Sequence, residues 1–78
     1  MKLIVLNLPR NLTETELASL FKAHGNVTSC NLVMDLVTGI SKGFGFVEMD
    51  QELAAQNAIS QLNGSKIQSN KIRVKTAS

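Results

Sequence analysis

Two phenylalanines, Phe44 and Phe46, stand two positions apart in the chain, with Gly43 and Gly45 interleaved and Lys42 in front of them. The sequence has only three phenylalanines and neither Trp nor Tyr, so most of its aromatic surface lies in this short run. Aromatic rings bury large apolar areas, and their π faces also stack on other flat rings. If both side chains point to solvent, they form a surface on which planar groups can stack.

Cations recur at alternate positions further along the chain, at Lys71, Arg73 and Lys75. Residues 66–78 carry four cations and no acid, whereas residues 1–65 carry four cations and six acids. The net charge of +2 is too small to identify a partner. The concentration of cations in residues 66–78 indicates a local basic patch. Such a patch either binds anionic groups or only keeps a sheet edge soluble.

The elements that must position these side chains follow from hydrophobic spacing and turn residues. Thr13 and Glu16 form a capping box typical of a helix start, and Gly25 predicts the end of that helix. Asp50 is the predicted cap of a second helix, whose apolar residues are Leu53, Ala55, Ala58, Ile59 and Leu62. The predicted order is strand 2–8, helix 13–25, strand 27–34, turn 35–41, strand 42–49, helix 50–63, hairpin 65–70 and strand 71–76.

This β-α-β-β-α-β order predicts an α+β fold, a ferredoxin-like sandwich. Both helices are amphipathic, so we expect them to cover one face of a four-stranded antiparallel sheet and to leave the other face open to water. Ile72 and Val74 then belong to the core. Because side chains alternate along a strand, Lys71, Arg73 and Lys75 turn to the open face.

The same alternation assigns the two faces of the strand at 42–49. Val47 and Met49 are the predicted core pair, which turns the other side chains of the strand outward, namely Lys42, Phe44, Phe46 and Glu48. If the two phenylalanines faced the core instead, Lys42 and Glu48 would be buried, and Val47 and Met49 would be exposed. In the predicted arrangement Gly43 and Gly45 point inward, where the absence of a side chain lets a helix approach the sheet.

Flat rings beside Lys and Arg on a rigid sheet suit single-stranded nucleic acid, because its bases offer π faces and its phosphates offer negative charge. Such stacking contributes about 1–3 kcal/mol per base. Bases inside a duplex are already stacked and cannot lie on a protein ring. The pattern therefore predicts a single-stranded partner. It does not distinguish RNA from single-stranded DNA, since stacking does not involve the 2′-hydroxyl.

The run Lys42–Met49, KGFGFVEM, resembles the octapeptide of the RNA recognition motif family, whose pattern is basic, Gly, aromatic, Gly or Ala, aromatic, aliphatic, any residue, aromatic. Seven of the eight positions match, and Met49 stands where Phe or Tyr is usual. Leu3–Leu8 is similar to the hexapeptide on the family's first strand. Three further segments stand where this family commonly has the same residues: Asp35, Thr38-Gly39 and Leu62-Asn63-Gly64.

The resemblance implies single-stranded RNA binding, in RNA processing, stability or translation control. It implies that Phe46 stacks a base, that Phe44 packs against sugars or a second base, and that Lys42 contacts phosphate. Ile4 stands where the hexapeptide usually has another aromatic ring, and Ile40 stands at a loop position that is often basic, so we expect a thinned site. The predicted RNA-binding residues are Lys2, Ile4, Asn31, Lys42, Phe44, Phe46, Lys71, Arg73 and Lys75.

Two other functions remain open from the sequence. The apolar side chains expected on the open face would also form a contact surface for a protein partner: Ile4, Leu6, Val33, Phe44 and Phe46. Small acylphosphate hydrolases share the element order, and Arg10 with Asn31 is similar to their polar pair. The segment 7–10 lacks a Gly-rich loop to cradle phosphate, and Pro9 has no N–H, so we expect no enzyme and no catalytic residue.

Length and composition set the remaining expectations. Seventy-eight residues predict one domain spanning 1–78, mostly monomeric and at most weakly self-associating. One cysteine, Cys30, excludes an internal disulfide, and with the single His24 it cannot form a zinc site, so no metal and no cofactor are expected. No apolar run is long enough to span a membrane, so we expect no membrane partner and a cytoplasmic location.

Overall fold

The structure, a computed structural model, describes residues 1–77 and contains two helices and six strands within that range. In chain order these are β1 (Lys2–Leu6), α1 (Glu14–Lys22), β2 (Val27–Met34), β3 (Ser41–Met49), α2 (Glu52–Leu62), β4 (Lys66–Ile67), β5 (Asn70–Lys71) and β6 (Arg73–Thr76). One antiparallel sheet has the spatial order β2-β3-β1-β6, and β4 pairs with β5 in a separate hairpin. The predicted ferredoxin-like fold is confirmed.

The core lies between the two helices and the inner face of the sheet. Leu3 and Val5 of β1 and Val74 of β6 point inward and are buried. Helix α1 packs Leu17 and Phe21 against them, and neither side chain keeps any exposed surface. Because every second residue of these strands is buried, the other residues face solvent on the far side of the sheet.

Helix α1 begins where the sequence predicts. The Thr13 hydroxyl accepts a hydrogen bond from the Glu16 N–H at 3.1 Å, and the Glu16 carboxylate accepts one from the Thr13 N–H at 2.9 Å. The helix ends at Lys22, before the predicted end at Gly25. Gly25 lies against α2 instead, because a Cβ added to it would stand 2.5 Å from the Cβ of Ala54. This glycine therefore sets how closely α2 packs.

Helix α2 differs from its prediction at its start. The cap residue is Gln51, whose side chain makes no capping hydrogen bond. The predicted cap, Asp50, instead accepts a hydrogen bond from the Asn26 side chain at 3.1 Å. Leu53 is 77% exposed and not part of the core. It lies two residues before the buried Ala55 and, at about 100° per residue, on the opposite side of the helix. The predicted cap is therefore wrong, and Leu53 is the one apolar residue named for this helix that does not pack in or against the core.

The last strand of the sheet is shorter than predicted, and Lys71 does not belong to it. Lys71 pairs with Lys66 in the β4–β5 hairpin, and β6 begins at Arg73. The Asn7 side chain donates a hydrogen bond to the Lys71 carbonyl at 2.9 Å, and the Asn70 side chain donates one to the Asn7 carbonyl at 3.2 Å. These bonds hold the hairpin against the end of β1, where Asn7 has a left-handed φ of 61°.

A side chain from a helix end is bonded to one backbone donor on each edge strand of the sheet. On β2, the Leu32 N–H donates a hydrogen bond to the Glu14 carboxylate at 2.9 Å. On β6, the Val74 N–H donates one to the side-chain oxygen of Asn63, the residue that ends α2, at 3.0 Å. Each bond satisfies a backbone donor that an edge strand otherwise leaves open. Each edge strand beside the open face is therefore bonded to a helix end at one backbone position.

Candidate nucleic-acid interface

The open face of the sheet carries the side chains that alternation assigns to it. In β3, Val47 and Met49 are fully buried, whereas Phe44 and Phe46 keep part of their surface exposed. The predicted phase is confirmed, and both rings lie on the face away from the helices. Their centroids are 6.3 Å apart and their planes meet at 82°, an edge-to-face arrangement. A flat ligand therefore meets two rings in different orientations.

Gly43 and Gly45 face inward for two different reasons. A Cβ added to Gly45 would stand 3.1 Å from the Leu17 side chain of α1 and 2.7 Å from the Asn31 carbonyl oxygen. Gly43 faces the segment after β1, has a φ of 85°, and accepts a hydrogen bond from the Leu8 N–H at 2.8 Å. The expectation that a missing side chain lets a helix approach is therefore confirmed for Gly45 and wrong for Gly43.

One row of side chains crosses the sheet through Phe46. Its partner in β3–β1 pairing is Ile4, and its partner in β3–β2 pairing is Asn31. Ile4 pairs in turn with Lys75 in β6. Cross-strand partners on one face have Cβ atoms about 4.5–5.5 Å apart. The structure therefore brings a ring, an aliphatic side chain, an amide and an ammonium side by side.

The Lys2 side chain reaches this row from the start of β1. Its Nζ lies over the Phe46 ring, 4.9 Å from the ring centroid. An ammonium over an aromatic face is held by the ring quadrupole, with about 0.5–1 kcal/mol at an exposed site. The Lys2 side chain therefore places a cation against the Phe46 ring on the open face.

A second group of cations lies at the far end of β1. Lys42, Arg73 and Arg10 line an open groove of about 700 Å³, and Leu6 and Phe44 form its apolar part. Leu6 and Arg73 are cross-strand partners in β1 and β6. Cations around an apolar floor suit a nucleotide, whose sugar or base contacts the floor while its phosphate contacts the cations. The groove therefore extends the surface that the Phe46 row begins.

Sequence reasoning missed part of this groove. It gave Arg10 only a place beside Asn31 in an enzyme-like pair, but Arg10 lines the groove while Asn31 lies beside Phe46. The available signal was a cation directly after Pro9, at the end of a strand with an open face. Asn70 also lines the groove, and the hydrogen bond that its side chain donates across 63 residues helps to bring it there.

Lys71 lies beside this surface and not in the strand where the sequence placed it. It lines a separate recess with Asn63 and Gly64, and its Cε is 3.7 Å from the position of a Cβ added to Gly64. The alternation of Lys71 with Arg73 continues in the sequence, but the ladder breaks at Ile72 and the two residues belong to different strands. Arg73 lines both the recess and the groove.

The loop between β2 and β3 is apolar where it is most exposed. Leu36 and Val37 are 99% and 94% exposed. The Asp35 carboxylate accepts hydrogen bonds from the backbone N–H groups of Val37 and Thr38, at 2.8 and 3.2 Å, which fixes the turn. Sequence reasoning singled out only Ile40, which is also exposed. This loop therefore adds no positive charge to the interface.

Cys30 is not a reactive thiolate. It packs against the core, and burial raises the pKa of its thiol; the Glu14 carboxylate raises it further, while Lys22 lowers it. The thiol therefore stays protonated near neutral pH. Within residues 1–77, no three His, Cys, Asp or Glu side chains gather where they could hold a metal ion. Of the two helices described, neither has the length and apolar character needed to cross a membrane.

Sequence comparison finds relatives that match nearly the whole of this chain. The RNA-binding protein BRN2 of Arabidopsis thaliana is 43% identical over 72 residues, which cover 92% of this chain and 17% of that protein. The Sex-lethal homolog of Chrysomya rufifacies is 40% identical over 75 residues, which cover 96% of this chain and 24% of that protein. The chain therefore spans less than a quarter of the length of these relatives.

A solved structure agrees with the sequence matches. The SXL-lethal protein/RNA complex superposes with a TM-score of 0.94 at 38% identity, covering 99% of this chain and 46% of that one. The family model of the RNA recognition motif matches residues 3–73, which include both helices and the paired central strands β1 and β3. The hexapeptide and the octapeptide lie on these two strands. The chain therefore belongs to the RNA recognition motif family.

Proposed function

We propose that residues 1–78 form one module that binds single-stranded RNA across the open face of the sheet. A base stacks on Phe46, and the Phe44 ring and the Ile4 side chain contact neighbouring sugars or bases. Asn31 is available to hydrogen-bond a base edge. The surrounding cations contact phosphates, namely Lys2, Lys42, Lys71, Arg73 and Lys75.

The exposure of two rings on one sheet face is the observation that carries this proposal. Aromatic side chains bury more apolar area than any others, so a fold that uses them only for stability places them inside. Here Phe21 is fully buried while Phe44 and Phe46 keep exposed surface beside cations. Stacking of bases, at about 1–3 kcal/mol each, gives those two rings a function that the core does not supply.

Relatives and family support the proposal. BRN2 is named an RNA-binding protein, and the SXL-lethal structure is a complex with RNA. Because this chain spans only part of the relatives, the process it serves is a further part of the proposal: RNA processing, stability or translation control. With one strong ring and a small basic patch, we expect a dissociation constant of about micromolar order.

Replacing Phe46 with Ala tests the stacking role. Loss of one stacked base should weaken binding about 5- to 150-fold, which corresponds to about 1–3 kcal/mol. The measurement is a fluorescence anisotropy titration with a pool of short RNA oligomers, repeated with DNA oligomers of the same sequences. The matched control is Leu53→Ala, because Leu53 is 77% exposed on α2, away from the open face.

Three results decide between the functions left open by the sequence. An F46A curve that overlays the wild-type curve, with both proteins folded by circular dichroism, contradicts the stacking role. Concentration-dependent self-association without any RNA binding favours the protein-contact surface instead. Turnover of an acyl phosphate, which we do not expect, favours the enzyme.

A further inference from the structure

Within the described residues, the open sheet face carries one acidic side chain, Glu48, among cations assigned above to phosphate. Glu48 is exposed and follows Phe46 by two positions, so both side chains lie on the same face, about 7 Å apart along the strand. An acid on a surface that binds a polyanion repels the ligand. Lys2, the cross-strand partner of Glu48 in β1, offsets part of that repulsion. A hydrogen-bond donor of the ligand, aimed at the carboxylate, offsets more of it.

Glu48 lines a shallow recess beside the Phe46 ring, together with Asn31, Ser29 and Lys2. The recess has a volume of about 40 Å³. A water molecule occupies about 30 Å³ in the liquid, so the recess holds one small polar group and not a base. A base that stacks on the ring therefore places only its polar edge over this recess.

The two polar groups of the recess have complementary hydrogen-bonding character. The Glu48 carboxylate is acceptor-only, with two oxygens, whereas the Asn31 amide also offers N–H donors. Asn31 is the cross-strand partner of Phe46, and Glu48 lies further along β3. A base edge that presents one acceptor followed by two donors therefore fits both groups at once.

We propose that Glu48 selects guanine at the nucleotide stacked on Phe46, an inference that rests on the RNA-binding function proposed above. The Watson–Crick edge of guanine presents the O6 acceptor and then the N1–H and N2–H donors. The carboxylate accepts from the two donors, and the Asn31 amide donates to O6. Charge-assisted bidentate bonds of this kind are among the strongest available to a side chain.

The other bases fit the recess less well. Uracil presents one N–H between two carbonyl oxygens, so its edge meets the Glu48 carboxylate with a lone pair on either side. Cytosine and adenine each present one amino donor beside a ring nitrogen acceptor, and they satisfy one carboxylate oxygen at most. The expected order of preference at this position is therefore guanine, then cytosine or adenine, then uracil.

Three pentanucleotides test which hydrogen-bonding groups of guanine contribute to the affinity. They are UUGUU, the same oligomer with inosine in place of guanine, and UUUUU. Inosine lacks the 2-amino group, so it removes one of the two donors and keeps the rest of the edge. Wild-type protein should bind UUGUU about 5- to 100-fold more tightly than UUUUU, with the inosine oligomer in between. In E48Q the difference between guanine and inosine should fall below about twofold.

The direction in which E48Q changes the affinity for each oligomer distinguishes selection of guanine from simple repulsion of phosphate. If Glu48 only repels phosphate, E48Q binds all three oligomers more tightly by the same factor. If Glu48 selects guanine, E48Q loses affinity for UUGUU and keeps or gains affinity for UUUUU. The matched control is Glu52→Gln, because Glu52 is exposed in the first turn of α2 and the substitution removes the same charge.

Failure of this inference can be told apart from failure of the function on which it rests. Wild-type binding that depends on Phe46 but shows no preference for guanine overturns the guanine assignment and leaves RNA binding in place. A uniform gain of E48Q on all oligomers overturns it in the same way. Absence of binding to every oligomer overturns both proposals.

Discussion

Ile4 and Phe46 are cross-strand partners on the open face, so their side chains share one surface. Phe46 offers a π face, whereas Ile4 offers only aliphatic contact. Replacing Ile4 with Phe should add a second stacking platform, because the position is half-buried beside an existing ring. We expect tighter RNA binding by about 1–3 kcal/mol, measured with the same anisotropy titration.

Ile4→Leu is the matched control for this gain, since leucine conserves the volume and aliphatic character of isoleucine. Its affinity for RNA should equal that of the wild type within error. An equal gain for Ile4→Leu and Ile4→Phe would assign the effect to apolar area and not to stacking. No gain with Ile4→Phe would mean that the RNA path does not cross β1 at this position.

At the residue scale, the sequence predicts the face of a side chain better than its contacts. The alternation of apolar and charged residues along β3 was enough to predict that Phe44 and Phe46 point outward. A shift of the pattern by one residue would have buried the charged side chains of the strand. The position of Lys2 over the Phe46 ring had no such signal. The position of the Lys2 ammonium depends on the side-chain rotamer of Lys2 and on the pairing of β1 with β3, and the sequence states neither.

At the scale of elements, Gly25 determines the approach of α2 to the rest of the fold. A Cβ added there would stand 2.5 Å from the Cβ of Ala54 and 3.2 Å from the Cε of Met49. Gly25→Ala should therefore lower the free energy of unfolding by about 1–3 kcal/mol, the usual cost of overpacking a core. Urea denaturation followed by circular dichroism measures the change.

The reciprocal change at Ala54 tests whether this contact is the cause. Ala54→Gly alone should cost about 1 kcal/mol, because glycine is a poor helix former. In the double variant the two substitutions exchange the methyl group between the same two positions, so the clash between the two Cβ atoms is relieved, while the contact with the flexible end of Met49 remains. The double variant should therefore be more stable than the sum of the single effects. Additive changes in the free energy of unfolding would show that the loss of stability in Gly25→Ala does not come from the contact with Ala54.

Helix starts show where local signals suffice and where they do not. Thr13 and Glu16 satisfy each other within one turn, so the sequence contains the whole capping motif. Asp50 is an equally good cap by residue type, but its carboxylate is hydrogen-bonded to Asn26, 24 residues away. A tertiary contact of this kind overrides a local preference of about 1 kcal/mol, and sequence spacing alone cannot reveal it.

At the scale of the whole molecule, the binding surface depends on how the outer elements are fixed. The octapeptide and the hexapeptide occupy the central pair of strands, β3 and β1, and the sequence predicts this part well because each motif is contiguous. The groove beyond β1 required the bonds of Asn7 and Asn70 that dock the hairpin. Contacts that span more than 60 residues leave no periodic pattern in the chain.

On each edge strand of the sheet one backbone donor is bonded to a side chain, which should oppose strand pairing between copies of the chain. Glu14 accepts from the Leu32 N–H on β2, and Asn63 accepts from the Val74 N–H on β6. Replacing both with Ala should lower the free energy of unfolding by about 1–3 kcal/mol, since each lost hydrogen bond costs about 0.5–1.5 kcal/mol and the edges are far apart. The freed donors should also raise concentration-dependent association in sedimentation velocity runs.

Glu52→Ala combined with Asn57→Ala is the matched control, because it removes the same two residue types from exposed positions of α2. Glu52 also lies in a first helical turn, as Glu14 does, so the control includes the loss of a favourable charge at a helix start. It should associate no more than the wild type does and lose less stability than the edge variant. Equal stability and equal sedimentation of the two double variants would show that the edge bonds are not what prevents strand pairing between copies.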